Sequence, residues 1–434
     1  MQRTRVIAAL LLALPLLAGC YENDPLNSPD LSTSNGLMAR YVSLGDNFAA
    51  GYQSAGINDS TQQRSFAVLF ANRANAPFFV PSLQGRGCAP PYTNNVSQAR
   101  VGGGTATTCD LRADEQLFFV SNLAVPAATS LSPLTNDVLA VPNTSLGSNS
   151  NPLTTFILGG RTQIQAMQDA APTFVTLWIG NYDVLGSLTQ LPSASNPAAN
   201  PGNPALVTSE EDFVTRYDEI LDSIEASGNP PTVLFSVVDA TLLPYSSSGT
   251  VYWCLKTGLC PGVPAAPFPP NFSVSLNCAP GAAVPGSKGD SILVPFAVGV
   301  QTIGAAAGGA PAGIPQTTLD CATDPVVSPS EYANLRNAVA GYNGYISSAA
   351  AARGMAYFDV NAVILAQRTA GDIPAFPDIS KLTTGGSVTF QKTGTAAATS
   401  LFSLDGANPS TLQHQAITDA LVATVNAFFG TSIP

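Results

Sequence analysis

The chain's 434 residues are enough for one large α/β domain with insertions, or for two smaller domains. Its 28 acidic against 17 basic residues leave a net charge of −11, which excludes the basic face that nucleic acid requires. A single histidine excludes a histidine-built metal centre, and neither a metal nor a cofactor is expected.

The first residues read as an export leader. Arg3 and Arg5 precede an apolar run from Val6 to Leu17 that is short for a membrane span, and Leu17-Ala18-Gly19-Cys20 closes it. Small residues followed at once by cysteine resemble a bacterial lipobox, which implies removal of residues 1–19 and lipidation of Cys20. The membrane is then a partner through that lipid. Tyr21 stands where an inner-membrane retention signal would place aspartate, so the expected address is the cell envelope, at the outer membrane. Residues 20–37 are polar and rich in Pro, Asn and Ser, as a flexible tether would be. A single domain is expected over 38–434.

Short apolar runs then alternate with helix-period segments, the pattern of an α/β fold with a mainly parallel sheet. The first strand, Val42–Leu44, runs into Gly45-Asp46-Asn47 and a turn holding Gly51. Phe174–Ile179 is the next clear strand, followed by a loop-like segment from Leu191 to Pro204. In "SEEDFVTRYDEILDSIEASG", Phe213, Tyr217, Ile220, Leu221 and Ile224 share one helix face. Val233–Val238 is the third strand. From Ser246 to Gln316 Gly, Pro, Ala and Ser dominate and no helix period is sustained, so a loop-rich, disulfide-stapled insertion is expected there. Ser328-Pro329-Ser330-Glu331 is a capping box with proline at the first helical position. It opens a helix that repeats Tyr332, Leu335, Val339, Tyr342 and Ile346. Ala356–Val360 is the fourth strand, and Ser410–Phe429 the last helix, with Ile417, Leu421 and Val425 inward.

Without Cys20, six cysteines remain, an even number that fits disulfides in an exported chain. Proximity favours Cys88 with Cys109 and Cys254 with Cys260, leaving Cys278 with Cys321. Their spacing is not that of a zinc site.

Four short blocks carry a family resemblance. They are "LGDNFAAGY" (Gly45, Asp46, Asn47, Gly51), "NLAVPAATS" (Ala127), "LWIGNYDVLG" (Gly180, Asn181, Tyr182, Asp183) and "FSLDGANPS" (Asp405, Asn408, Pro409). In order and spacing the chain, over roughly residues 40 to 430, resembles the SGNH/GDSL hydrolases. That resemblance implies a three-layer α/β/α sandwich and ester cleavage by a Ser-His-Asp triad. The chemistry-bearing positions depart from it. Asn47 stands for the nucleophilic serine, Ala127 for a glycine, Tyr182 for the oxyanion-hole asparagine and Asn408 for the histidine. An asparagine amide is neither an oxygen nucleophile nor a titrating base.

The expectation is a non-catalytic, lipid-anchored pseudo-hydrolase. Its cleft, lined by Asp46, Asn47, Asn181, Tyr182, Asp183, Asp405 and Asn408, would take a glycan or a polar acylated ligand. An amide both donates and accepts, so Asp405, Asn408 and Asn47 are expected to form a static hydrogen-bonded relay. The rival is an active esterase using another Ser or Thr, with His414 as a displaced base. The literal Gly289-Asp290-Ser291 reads as an exposed turn, because no strand precedes it. Asp46, Asp183 and Asp405 read as buried acceptors holding loops rather than as a glycosidase pair.

Overall fold

The computed structural model describes residues 36–111, 120–135, 152–192, 199–263, 265–307, 317–392 and 394–434. The leader, Cys20 and the tether up to residue 35 lie outside the described residues. Gly36–Met38 forms a 3-10 turn with Met38 fully buried.

Four strands make one parallel sheet whose spatial order follows the chain: β1 (Tyr41–Gly45), β2 (Phe174–Trp178), β3 (Thr232–Phe235) and β4 (Ala356–Phe358). Tyr41 stands opposite Phe174, Val175 opposite Thr232, and Val233 opposite Ala356. These are the four apolar runs of the sequence. Every residue of β1, β2 and β3 is buried. Both faces of those strands are covered, which is why they do not alternate polar with apolar.

Residues 121–125 run along the free edge of β1. Ser43 N donates to Ser121 O at 2.8 Å, Leu123 N to Ser43 O at 2.8 Å, and Val125 N to Gly45 O at 3.1 Å. With this segment counted as a strand, the order across the sheet is second, first, third, fourth, fifth in chain order. In such a sheet the connections leave β1 and β2 toward opposite sides, and a crevice opens at the carboxyl ends of those two strands.

The main helices are α1 (Asn47–Ala50), α2 (Phe66–Arg73), α3 (Gln163–Ala170), α4 (Tyr182–Leu188), α5 (Glu210–Ala226), α6 (Gly249–Thr257), α7 (Phe296–Ala307), α8 (Pro329–Arg353), α9 (Val360–Thr369) and α10 (Thr411–Phe429). One group packs α10 against α2 and β4; another packs α8 against α5, β3 and β4, with α3 against α5 and β1. Phe66 of α2 meets Trp178 and Phe235 at 5.3 and 4.9 Å between ring centroids, and Trp178 stacks on Phe235 at 4.9 Å. Elsewhere Phe213 of α5 stacks on Tyr342 of α8 at 4.0 Å. The inward residues expected of α5 and α10 are buried, and the α8 capping box closes with both of its hydrogen bonds.

The insertion is more ordered than its composition implies. It holds α6 and α7, an antiparallel pair (Ser246–Ser248 with Leu293–Pro295) and a parallel pair (Phe272–Val274 with Thr317–Leu319). The second pair also carries it past Gln316. The α7 helix escaped notice because "FAVGVQTIGAAA" buries Phe296, Val298, Gly299, Val300 and Ile303 around most of its circumference. No amphipathic period remains to be read. Residues 308–316, like 193–198 of the Leu191–Pro204 loop, lie outside the described residues. The disulfides are Cys88–Cys109 and Cys254–Cys260, the pairs that proximity favours, and Cys278–Cys321, the pair left over.

Candidate functional site

The four blocks meet at the crevice. Gly45 ends β1 with Trp178 O so close that an added Cβ would lie 2.4 Å from it, and Gly180, at φ +108°, would press a Cβ against Phe213 and Val237. Both positions demand glycine, Gly45 because the β2 backbone passes so close and Gly180 because its left-handed backbone is packed under those side chains. Gln163, at the start of α3, clamps the same spot: Gly45 N donates to its Oε1 and its Nε2 donates to Gly45 O, both at 3.0 Å.

Asp46 then caps α1, accepting from Phe48 N at 3.1 Å. It also accepts from Asn181 N at 3.1 Å and Asn181 Nδ2 at 3.0 Å, while Asn181 Oδ1 accepts from Val238 N at 2.8 Å. Burial pushes the Asp46 carboxyl up to about 7 against the pull of those donors. Asp183 accepts from Ser130 N, Ser130 Oγ and Thr208 Oγ1, each at 2.7 Å, and its burial likewise raises it. Asp46, Asn181 and Asp183, expected to line the cleft, thus spend their polar atoms beneath it, joining β1, β2 and β3 ends to the Ser130 and Thr208 loops. The reading of the two aspartates as loop-holding acceptors describes this geometry.

Above that floor runs an unbroken chain of hydrogen bonds. Ala127 N donates to Asn47 Oδ1 at 2.6 Å, Asn47 Nδ2 donates to Asn408 Oδ1 at 3.2 Å, and Asn408 Nδ2 donates to Asp405 Oδ2 at 3.0 Å. Asp405 is itself fixed by Ala55 N at 2.6 Å, Asn408 N at 2.8 Å, Ala407 N at 2.9 Å and Ser403 Oγ at 3.1 Å. Arg100 holds the other side of the Ala55 turn, donating to Ala55 O at 2.9 Å and Pro90 O at 2.6 Å with its guanidinium over the Tyr92 ring. Asn47 and Asn408 are 3% and 5% exposed, so the relay is closed to all but a grazing contact. Ala127 takes φ +65°, a left-handed conformation that costs a residue with a Cβ.

Three tyrosines flank the relay, Tyr52 N donating to Asn47 O at 3.0 Å and the Tyr245 backbone packing against Gly406. Tyr182, at the start of α4, is pushed up to about 12, by burial first and then by the Asp46 and Asp405 carboxylates. Tyr52 and Tyr245 are held well above the ordinary phenol value by burial, and both also feel Asp405 and Tyr182. All three stay protonated at neutral pH. Tyr52 and Tyr245 were not legible as site residues, since Tyr52 only closes the first block and Tyr245 stands in a turn just before the insertion. Gln163 had only an indirect sign, the Thr162-x-x-Gln165 capping box that starts its helix.

His414 is elsewhere. It lies in α10 with no exposed surface, not at the relay where a displaced base would have to stand. Its Nδ1 accepts from Phe66 N at 3.2 Å, and its Nε2 has no partner among the described residues. Burial lowers the imidazole to about 3, so it is neutral and structural. The Gly289–Ser291 decoy is a short 3-10 turn with Asp290 exposed and bonded to Thr250, as its sequence context implies.

Among the described residues no cluster of His, Cys, Asp and Glu could hold a metal ion, and no helix is long and apolar enough to cross a membrane. Comparison of the sequence with protein-family models and with curated proteins finds no match.

Proposed function

We propose that the chain is a lipid-anchored, SGNH-type pseudo-hydrolase: a three-layer α/β/α frame that binds a glycan or polar acylated ligand and does not turn it over. The observation that carries this reading is the Ala127–Asn47–Asn408–Asp405 chain of hydrogen bonds. The groups standing at the nucleophile and base positions are amides, and each is spent on a neighbour. Neither can attack a carbonyl or take up a proton near neutral pH. The Ala127 N–H, aligned with a position that would stabilise an oxyanion, already serves the Asn47 oxygen. The order of strands and the location of the four blocks at the switch crevice support the frame, since ligands of such sheets bind there. Fold alone does not assign an activity, so the reading rests on the site.

Ligand contacts would fall to the half-buried Tyr52 and Tyr182 beside the buried amides. The lipid on Cys20 would keep that cleft at the envelope surface, most simply the outer membrane.

The test is fluorophosphonate labelling with peptide mapping, on the wild-type chain and on a triple variant carrying Asn47→Ser, Tyr182→Asn and Asn408→His. The expected result is no label on the wild type and a label at residue 47 of the variant. A label on any wild-type Ser or Thr would establish an active, relocated site instead. Failure of the triple variant to label, although folded, would remove the hydrolase ancestry of the cleft.

A further inference from the structure

The amino ends of the sheet strands form the base of the molecule, opposite the crevice, and the described chain enters the fold there. Gly36 is exposed and stands just before Arg40, whose N–H donates to Thr173 Oγ1 at 2.9 Å at the foot of β2. At the same foot a chain of rings leads from core to surface. Phe78 stacks on Tyr41 at 4.8 Å between centroids, Tyr41 meets Phe174 at 5.7 Å, Phe174 meets Phe429 at 5.7 Å, and Phe429 meets Phe428 at 4.9 Å. Tyr41 and Phe174 are fully buried and Phe78 and Phe429 half-buried, but Phe428, at the end of α10, is 51% exposed.

Charge sets this corner apart from the rest of the base. Arg40 is exposed; its Nε donates to Ala171 O at 2.6 Å, and no carboxylate among the described residues pairs with it. Arg73 and Arg161 are each neutralised, by Asp419 at 2.8 Å and Asp169 at 2.9 Å. At the ends of α5 and α8, Arg353 is outnumbered by Asp218, Asp222 and Glu225, which an anionic lipid surface would repel. One exposed phenylalanine is ordinary by itself. Phe428 is singled out because the expected anchor arrives beside it. The roughly 16 residues from Cys20 to Gly36 reach at most about 55 Å, about the width of a globular domain of this size. The base can therefore meet the bilayer freely, whereas the crevice could do so only with that whole segment drawn out along the domain's height.

We propose that this corner of the base, formed by Arg40, Phe78, Phe428 and Phe429, is a docking surface for the lipid bilayer that holds Cys20. The Phe428 ring enters the boundary between headgroups and acyl chains, and the Arg40 guanidinium takes a lipid phosphate. The assignment rests on the reading of Cys20 as lipidated and adds an orientation to it. With the base on the bilayer the crevice points away from it, so the ligand of the proposed binder is taken from the aqueous phase and not from the membrane.

The test is tryptophan fluorescence of the mature, membrane-inserted chain in vesicles of phosphatidylethanolamine and phosphatidylglycerol, with and without brominated phosphatidylcholine as quencher. The native Trp178 and Trp253 are 0% and 5% exposed and give a constant background. Phe428→Trp reports on the base, and Leu412→Trp on the crevice end of the same helix, roughly 24 Å away at the rise of an α-helix. Brominated lipid should quench the added emission of Phe428→Trp and leave that of Leu412→Trp unchanged. Adding Arg40→Glu to Phe428→Trp should reduce the quenching; unchanged quenching would remove the phosphate contact. Quenching of Leu412→Trp, or of neither variant, in a chain whose mass shows the lipid on Cys20 would overturn the docking surface and leave the anchor standing. A mass without that lipid would overturn both. The fluorophosphonate result is unaffected by any of these outcomes, so the reading of the crevice fails separately.

Discussion

Asn47 and Asn408 lie 361 residues apart and share one hydrogen bond at the centre of the crevice, Asn47 Nδ2 donating to Asn408 Oδ1 at 3.2 Å. The same Asn47 side chain accepts from Ala127 N on its other atom. It therefore ties together the segment after β1, the segment after the edge strand and the turn before α10.

Serine at position 47 could replace only one end of that bridge. Asn47→Ser would leave either the Ala127 N–H or the Asn408 oxygen without a partner in a nearly closed site, at a cost of about 1–3 kcal/mol. Calorimetry should show a lower melting temperature. The single variant should also stay inert to fluorophosphonate, because Asn408 cannot accept the hydroxyl proton. A variant more stable than wild type would sink the relay as a structural unit.

Ala127 gives the complementary case. Its φ of +65° is one that glycine adopts freely and alanine does not. Ala127→Gly removes that strain and keeps the N–H that serves Asn47, but the unfolded chain gains freedom. The strain is the larger effect at about 1–2 kcal/mol, so a net gain on the order of 1 kcal/mol is expected in denaturant titrations. A loss would mean that the alanine methyl makes packing contacts worth more than the strain.

These two positions also mark how far the sequence could be read. The four sheet strands were legible because burial on both faces makes each an unbroken apolar run, and α5 and α8 because a period and a cap agree. The relay was legible because donor and acceptor inventories at Asp405, Asn408 and Asn47 fit one another in a single direction. Tyr245 was not, because it stands in a turn just before the insertion, outside any helix or strand whose period could betray it. Nor was Gln163, whose role depends on which backbone group ends up opposite its carboxamide. The edge segment 121–125 was recognised as a block but not as a strand, since only three backbone hydrogen bonds hold it to β1.

His414 makes acid stability measurable. An unfolded imidazole takes up a proton below about 6.5, whereas the enclosed one does so only near 3. The folded-state value is depressed, so its contribution is full above about 6.5 and is lost progressively as the pH falls toward 3. The loss is on the order of 5 kcal/mol across that window. Asp46 acts in the opposite sense. Its folded value is raised from 3.8 to about 7, so its contribution is full below 3.8 and is lost as the pH rises through 7. The two offset each other in wild type, and only a difference curve separates them. His414→Gln keeps an acceptor for Phe66 N and removes the titration. Unfolding free energies of wild type minus His414→Gln should therefore decline from pH 6.5 to pH 4. A flat difference would mean that the ring is hydrated in solution.

The disulfides should not count equally. Cys278–Cys321 spans a sequence separation of 43, Cys254–Cys260 one of 6. If a cross-link acts by restricting the unfolded chain, the long loop contributes about 4 kcal/mol and the short one about 2 kcal/mol. The structure adds a reason in the same direction. Cys278 is fully buried against the α6 start, where Gly249 would carry a Cβ only 2.9 Å from Cys321 Sγ, and Cys321 N donates to Asn277 Oδ1 at 3.1 Å. Cys260 sits instead beside exposed Leu259 at the edge of the insertion. Replacing Cys278 and Cys321 together by alanine should lower stability more than replacing Cys254 and Cys260, by about 2 kcal/mol in urea titrations. It should also loosen Tyr245, because the pair Ser246–Ser248 with Leu293–Pro295 starts directly after it. Equal losses from the two double variants would place the stabilisation in local contacts rather than in the closure of the loop.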